Sequence, residues 1–227
     1  MNKILILGFI LLLGLNTLAE GGKSFLMLRS GLSLPLGKYS ENNLIGGSFT
    51  TPGVSFGGEG AWFFKDYLGV GLDVNYILHP VDAAALATEK VRVDPFLLDM
   101  NVRSEPYSFL ALMAGFYSSV ELSKRISLQP KILGGIMFGK TPFQLYEQTY
   151  LFPGPNYFKV TSSSDKGFGF KGGFSIKYNL NNCVALGFNA DYTYSGLSFG
   201  FMTATGHEYR KKNISFIDIG LGLVIKL

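Results

Sequence analysis

From residue 24 to its end the chain alternates bulky apolar side chains with small or polar ones, and this two-residue period constrains it more than any other feature. Leu68, Val70, Leu72, Val74 and Tyr76 alternate with Gly69, Gly71, Asp73 and Asn75. Phe168, Phe170, Gly172, Phe174, Ile176 and Tyr178 alternate with Gly169, Lys171, Gly173, Ser175 and Lys177. Ile217, Ile219, Leu221, Leu223, Ile225 and Leu227 alternate with Asp218, Gly220, Gly222, Val224 and Lys226. Successive side chains of a strand point to opposite faces, so the period of two implies strands with one greasy face and one small or polar face. It places strands at 24–36, 53–64, 68–79, 106–119, 126–139, 167–180, 184–195 and 214–227. These are longer than the usual globular strand of about 5–6 residues, and they suit a tilted membrane strand of about 9–11 plus some overhang.

The connections alternate as well. Lys65-Asp66-Tyr67, Glu121 to Arg125 and Asn181-Asn182-Cys183 are short, whereas Gly37 to Pro52, Pro80 to Glu105, Lys140 to Lys166 and Gly196 to Asn213 are long. In an up-and-down barrel alternate connections fall at opposite ends, so the tight turns share one rim with both termini and the long loops share the other. Periplasmic turns and extracellular loops have this arrangement.

The start of the chain reads as a signal peptide over residues 1–19: Lys3, the apolar run Ile4 to Leu15, and the small residues Thr17 and Ala19 before a mature chain, 20–227, that begins at Glu20. About a dozen apolar residues rise only about 18 Å as a helix, too little for a hydrocarbon core of about 30 Å. No later apolar run is long enough to span as a helix, so any membrane segment must be β. Cys183 is the sole cysteine, and an exported product therefore forms no internal disulfide. The net charge of +4 falls to +3 without Lys3, with Lys and Arg scattered, which argues against nucleic acid.

Alternation alone does not orient a barrel, because a soluble lipocalin-type barrel also alternates, with its greasy row inside. The quality of the polar row decides. Charged residues make up 16% of the chain, and Gly, Ala, Ser and Asn fill much of the polar row, whereas a water-facing surface carries about 25–35% charge. Small residues suit the narrow interior of an eight-stranded barrel. The apolar row then faces lipid, with aromatic girdles formed by Trp62, Phe64, Tyr67, Tyr117 and Tyr178 at the short-turn rim and Tyr76, Tyr107, Phe138, Tyr192 and Tyr194 at the long-loop rim. Arg29, Glu59, Asp73, Lys131, Lys171, Lys177, Asp191, Asp218 and Lys226 lie on the inward row. Five positive and four negative groups nearly balance, and the expectation is an internal ion-pair network that plugs the lumen rather than a conducting pore. Lys177 and Lys226, at strand ends, could instead reach periplasmic water.

The signal peptide, Ser30-Gly31-Leu32-Ser33-Leu34-Pro35-Leu36-Gly37, the Gly-rich strands with aromatic ends and the closing hairpin together resemble the outer-membrane β-barrel domain family, akin to small OmpA- and OmpX-type barrels. The likeness covers essentially the whole mature chain. It implies an all-β fold, a transmembrane up-and-down antiparallel β-barrel of about eight strands in the bacterial outer membrane, inserted by the barrel-assembly machinery and monomeric. Leu227 departs from the pattern, since that machinery commonly reads an aromatic residue at the last position.

Chemistry is sparse. The histidines are His79, before Pro80 at a strand end, and His207, in a polar stretch with Glu208; adjacent strand residues point opposite ways, so that pair makes no triad. No catalytic site, no cofactor and no metal site follows from one Cys and two His, although calcium held by loop carboxylates stays open. Arg210, Lys211 and Lys212 could meet lipopolysaccharide phosphates at the outer leaflet or form a solvated loop. The third long loop carries Phe143, Leu145, Tyr146, Tyr150, Leu151, Phe152, Tyr157 and Phe158, either as a surface for an extracellular partner or as a lid packed on its own barrel mouth. The expected role is structural or surface-interacting, through adhesion, envelope integrity or ligand contact; the alternatives are a small porin-like channel and a lipid A-modifying enzyme.

Overall fold

The computed structural model describes residues 23–151, 156–203 and 206–227, and the side chains of these except at 202, 203, 206 and 207. The expected signal peptide, Phe152 of the third loop and the side chain of His207 lie outside that description.

Eight strands close into a ring: β1 (Phe25–Pro35), β2 (Gly53–Lys65), β3 (Leu68–His79), β5 (Tyr107–Ser118), β7 (Ile126–Lys140), β10 (Ser164–Asn179), β11 (Val184–Thr203) and β12 (Gly206–Lys226). Each pairs antiparallel with its neighbours, and β12 returns to β1 from Phe25↔Lys226 to Pro35↔Phe216. Closure leaves the ring without an edge, as a membrane span requires. The short strand β6 (Val120–Glu121) folds back on β7 beside a short turn.

The alternation translates directly into two faces. Leu72, Leu221 and Ile132 stand on the outer wall, 65–75% exposed, while Asp73, Asn75, Lys171 and Asp191 turn inward, with 1% exposure or less. Toward the long-loop end the polarity of the two rows reverses. On β11 the outward row runs Phe188, Tyr192, Tyr194 and then Gly196 and Ser198, while the inward row changes from Asn189 and Asp191 to Leu197 and Phe199. On β12 the outward row below Ser215 is apolar, and inward Ile214 and Phe216 are fully buried. Apolar-out is the pattern of a wall in lipid and apolar-in that of a sheet in water, so the reversal marks where the strands leave the hydrocarbon.

Beyond that line the long connections are folded. A 3-10 turn at Gly37–Tyr39 tucks Tyr39 into the barrel. Helix α1 (Ala83–Val93) is capped by Asp82, whose side chain accepts from the Ala85 N–H at 2.9 Å. Strands β4 (Leu97–Ser104), β8 (Gln144–Tyr150) and β9 (Asn156–Val160) form a second, three-stranded antiparallel sheet. This cap has its own core of Phe49, Leu86, Leu97, Met100, Val102 and Tyr146, and Val81 packs against both that core and the barrel's.

Three expectations need correcting. The stretch from Gly196 to Asn213 is largely strand rather than loop, because β11 extends to Thr203 and β12 begins at Gly206, paired from Gly196↔Asn213 to Thr203↔Gly206. Tyr107 and Tyr117 do not belong to the girdles, since β5 presents its odd positions inward and both rings are buried. The inward row is not uniformly small: large apolar side chains close the lumen at both ends. Trp62, Phe64, Tyr67 and Tyr178 at one rim and Tyr76, Phe138, Tyr192 and Tyr194 at the other do face outward.

Candidate functional site

The lumen is filled in three layers. The middle layer is ionic. Arg29 on β1 contacts Glu59 on β2 at 3.4 Å, Asp191 on β11 at 2.5 Å, and Asp73 on β3. Lys131 on β7 contacts Asp191 at 3.0 Å and also Glu59, and Lys171 on β10 contacts Asp73. Three cations thus meet three carboxylates, drawn from six strands, with side chains 0–4% exposed. Gly173 makes room for them. It is the register partner of both Lys131 and Asp191, and a Cβ there would lie 2.3 Å from the Asp191 Oδ1. Buried charges are tolerable only when paired and hydrogen-bonded, and this balance meets that condition.

The other three inward charges stand apart. Asp218 is buried and accepts from the Asn75 amide at 2.9 Å. Lys177 lies over the Phe25 ring, and Lys226 donates to the Asn181 carbonyl at 3.4 Å near the short turns.

Above the ions, Tyr39, His79, Tyr107, Phe109 and Phe216 form an aromatic layer with ring centroids 5.3–6.4 Å apart. His79 is held by both ring nitrogens, Nδ1 to the Tyr39 hydroxyl at 3.0 Å and Nε2 to the Ser33 hydroxyl at 2.9 Å. It ends β3, at the strand end where the sequence places it, with its ring turned into the barrel. Below the ions, Phe25 contacts Phe63 and Tyr117 at 6.5 and 6.1 Å.

Among the described residues, rings above and below a neutralised ionic layer cross the axis of the barrel. Planar-bilayer recordings of the purified protein are therefore expected to stay at baseline, and large steady unitary currents would contradict the packing.

Glu59, Asp73 and Asp191 also have carboxylate oxygens within 4.8 Å of one another, a spacing that could hold a metal ion. Each already faces a cation of the chain, so the group reads as an ion-pair centre.

The second candidate surface is the cap. Val93, Phe96, Leu98, Leu151, Tyr157 and Phe158 are all more than half exposed there, although the cap's own core takes in Tyr146 and Leu97. Leu145 and Tyr150 are partly buried within the sheet. Burial in that core pushes the Tyr146 hydroxyl up to about 12, with the nearby Tyr107 adding to the effect.

The three basic residues of the last hairpin diverge. Lys212 turns inward and donates to the Ser48 and Tyr107 hydroxyls at 2.8 and 3.1 Å, and Arg210 pairs with Glu208 at 2.9 Å. Lys211 is exposed on the outward row. Cys183 is an exposed free thiol in a short turn.

The outer membrane protein beta-barrel domain family matches residues 5–225. No curated protein matches the chain. Among solved structures, Ail, the attachment invasion locus protein of Yersinia pestis, is 13% identical, with 90% of this chain and 97% of that one covered and a TM-score of 0.45. Neisserial surface protein A is 12% identical, with 92% and 100% covered and a TM-score of 0.44. OprG from Pseudomonas aeruginosa is 12% identical, with 91% and 97% covered and a TM-score of 0.44.

Proposed function

The chain belongs to the outer membrane protein beta-barrel domain family and resides in the bacterial outer membrane, and from that membership we propose that it acts as a closed barrel displaying a folded module for contact at the cell surface. One observation carries the reading: the cap has a core of its own, yet leaves Phe96, Leu98, Tyr157 and Phe158 more than half exposed beyond the membrane wall. Exposed apolar clusters on a folded surface usually mark a partner site.

The filled lumen argues against the porin alternative. The enzyme alternative gains nothing from His79, whose two nitrogens are both engaged inside the barrel. Lipopolysaccharide contact fits Lys211 best of the three basic residues, because it alone combines exposure with the outward row, while Lys212 is committed to Ser48 and Tyr107.

The test is adhesion by cells that display the protein, using the variant Phe96→Ser/Tyr157→Ser/Phe158→Ser. Attachment to epithelial monolayers and to hydrophobic beads is expected to fall at least about tenfold, as loss of roughly 1.4 kcal/mol of contact implies. The heat-modifiable gel shift of the folded barrel should be unchanged, because these side chains lie outside the barrel's core. Unaltered attachment at equal surface levels would remove the cap from the function.

A further inference from the structure

The rim framed by the short turns encloses a cavity of about 300 Å³, whose walls carry Lys23, Lys124, Lys177 and Lys226 against Asp66 and Glu121. Glu121 is taken by Lys23 at 3.0 Å. Lys177 is the unusual member. The residue is 3% exposed, its Nζ has no hydrogen-bond partner among the described residues, and its contact is the face of the Phe25 ring. The lumen carboxylates Glu59, Asp73 and Asp191 are already engaged by Arg29, Lys131 and Lys171.

Two neighbours sharpen the picture. Lys226 is the register partner of Phe25 and lines the same cavity, and among the described residues its amine reaches only a carbonyl at 3.4 Å. Gln129 lies two residues along β7 from Ser127, the register partner of Lys177. It too is buried and lines the cavity, with a side-chain oxygen that has no partner among the described residues. A buried amine without an acceptor, and a buried amide oxygen without a donor, are each costly unless something fills them.

We propose that the periplasmic mouth of the barrel is a binding site for a phosphate-class oxyanion. Its charged oxygens accept from the Lys177 and Lys226 amines, and the P–OH of a free phosphate or the glycerol hydroxyl of a phosphatidylglycerol headgroup donates to the Gln129 side-chain oxygen. The phosphate comes from solution or from a phospholipid headgroup of the inner leaflet, and the site is independent of the cap at the opposite end.

The test uses the folded barrel, ¹⁵N-labelled, in maltoside micelles that contain no phosphate. Titration with inorganic phosphate should give saturable NMR shifts at Ser127, Gln129, Lys177 and Lys226, while chloride at equal ionic strength should not. Lys177→Met should weaken phosphate binding about tenfold or more, the loss of one charge-assisted hydrogen bond, and Lys226→Gln should weaken it less. A second arm adds phosphatidylglycerol, in place of inorganic phosphate, to the same phosphate-free micelles. Shifts of the same resonances with the anionic lipid would assign the headgroup as the source, and their absence would assign soluble phosphate. Shifts matched by chloride, or unchanged in both variants, would overturn the site.

Discussion

Arg29→Met is expected to lower the unfolding free energy of the barrel by about 3–5 kcal/mol, the cost of breaking a buried ionic cluster by removing one partner. Arg29 is the hub: it touches all three carboxylates, and without it Glu59, Asp73 and Asp191 face only Lys131 and Lys171. The surplus negative charge sits among side chains that exclude water, between two aromatic layers. Urea titration in lipid vesicles, followed by the fluorescence of Trp62, the single tryptophan, provides the measurement. The double variant Arg29→Met/Asp191→Asn restores the balance of charge and should recover at least half of the loss, because coupled residues are not additive. A single variant within about 1 kcal/mol of the parent, no more than an ordinary point substitution costs, would mean that the ions are hydrated rather than paired.

The second large effect lies on the outer wall. Leu72 stands midway along β3, 65% exposed and adjacent in sequence to Asp73 of the ionic layer. Leu72→Arg is expected to cost about 2–4 kcal/mol, as a cation on a barrel's lipid face does at the bilayer midplane. Tyr67→Arg, in a short turn at the rim, should cost about 0–1 kcal/mol by the same depth dependence. On a water-soluble barrel an exposed Leu could become Arg within about 0.5 kcal/mol. The two substitutions in the same vesicle titration therefore separate a wall in lipid from a wall in water, and equal small costs at both would favour water.

The ring strands were legible because the hydrocarbon imposes one rule on every residue of the wall. Val70, Leu72 and Val74 can only be outward, and Gly71, Asp73 and Asn75 only inward. The rule lapses where the strands rise into water, and the misreadings collect there. The stretch from Gly196 to Asn213 still alternates, but Leu197 and Phe199 now point in while Ser198 and Lys211 point out. Its outward row is therefore no longer apolar, and the stretch resembles a loop in sequence. Tyr107 belongs with that stretch, being an inward aromatic above the membrane line, and Tyr117 follows the inward odd positions of β5. Helix α1 had a signal of its own in Asp82 followed by Ala83-Ala84-Ala85-Leu86-Ala87, a capping residue before strong helix formers.

The ionic layer was legible as a set of inward charges but not as a set of pairs. Strand parity puts Arg29, Lys131 and Asp191 inside the tube, whereas which of them meet depends on the stagger between strands that are far apart in sequence. Gly173 shows the limit: its importance comes from lying opposite both Lys131 and Asp191, and only the registers of two separate strand pairs reveal that. The separation of Lys177 and Lys226 from the network likewise depends on depth along the axis, which parity does not encode.

Nitroxide labels placed singly along β3 in lipid vesicles can report which face meets hydrocarbon, with oxygen as the lipid-soluble relaxer and a nickel chelate as the aqueous one. Labels at Val70, Leu72, Val74 and Tyr76 should be strongly relaxed by oxygen and protected from nickel, while those at Asn75 and Ile77 should be shielded from both. Labels at Val70, Leu72 and Val74 that oxygen fails to reach, or that nickel relaxes as readily as it does free label, would show that the apolar row does not face the bilayer.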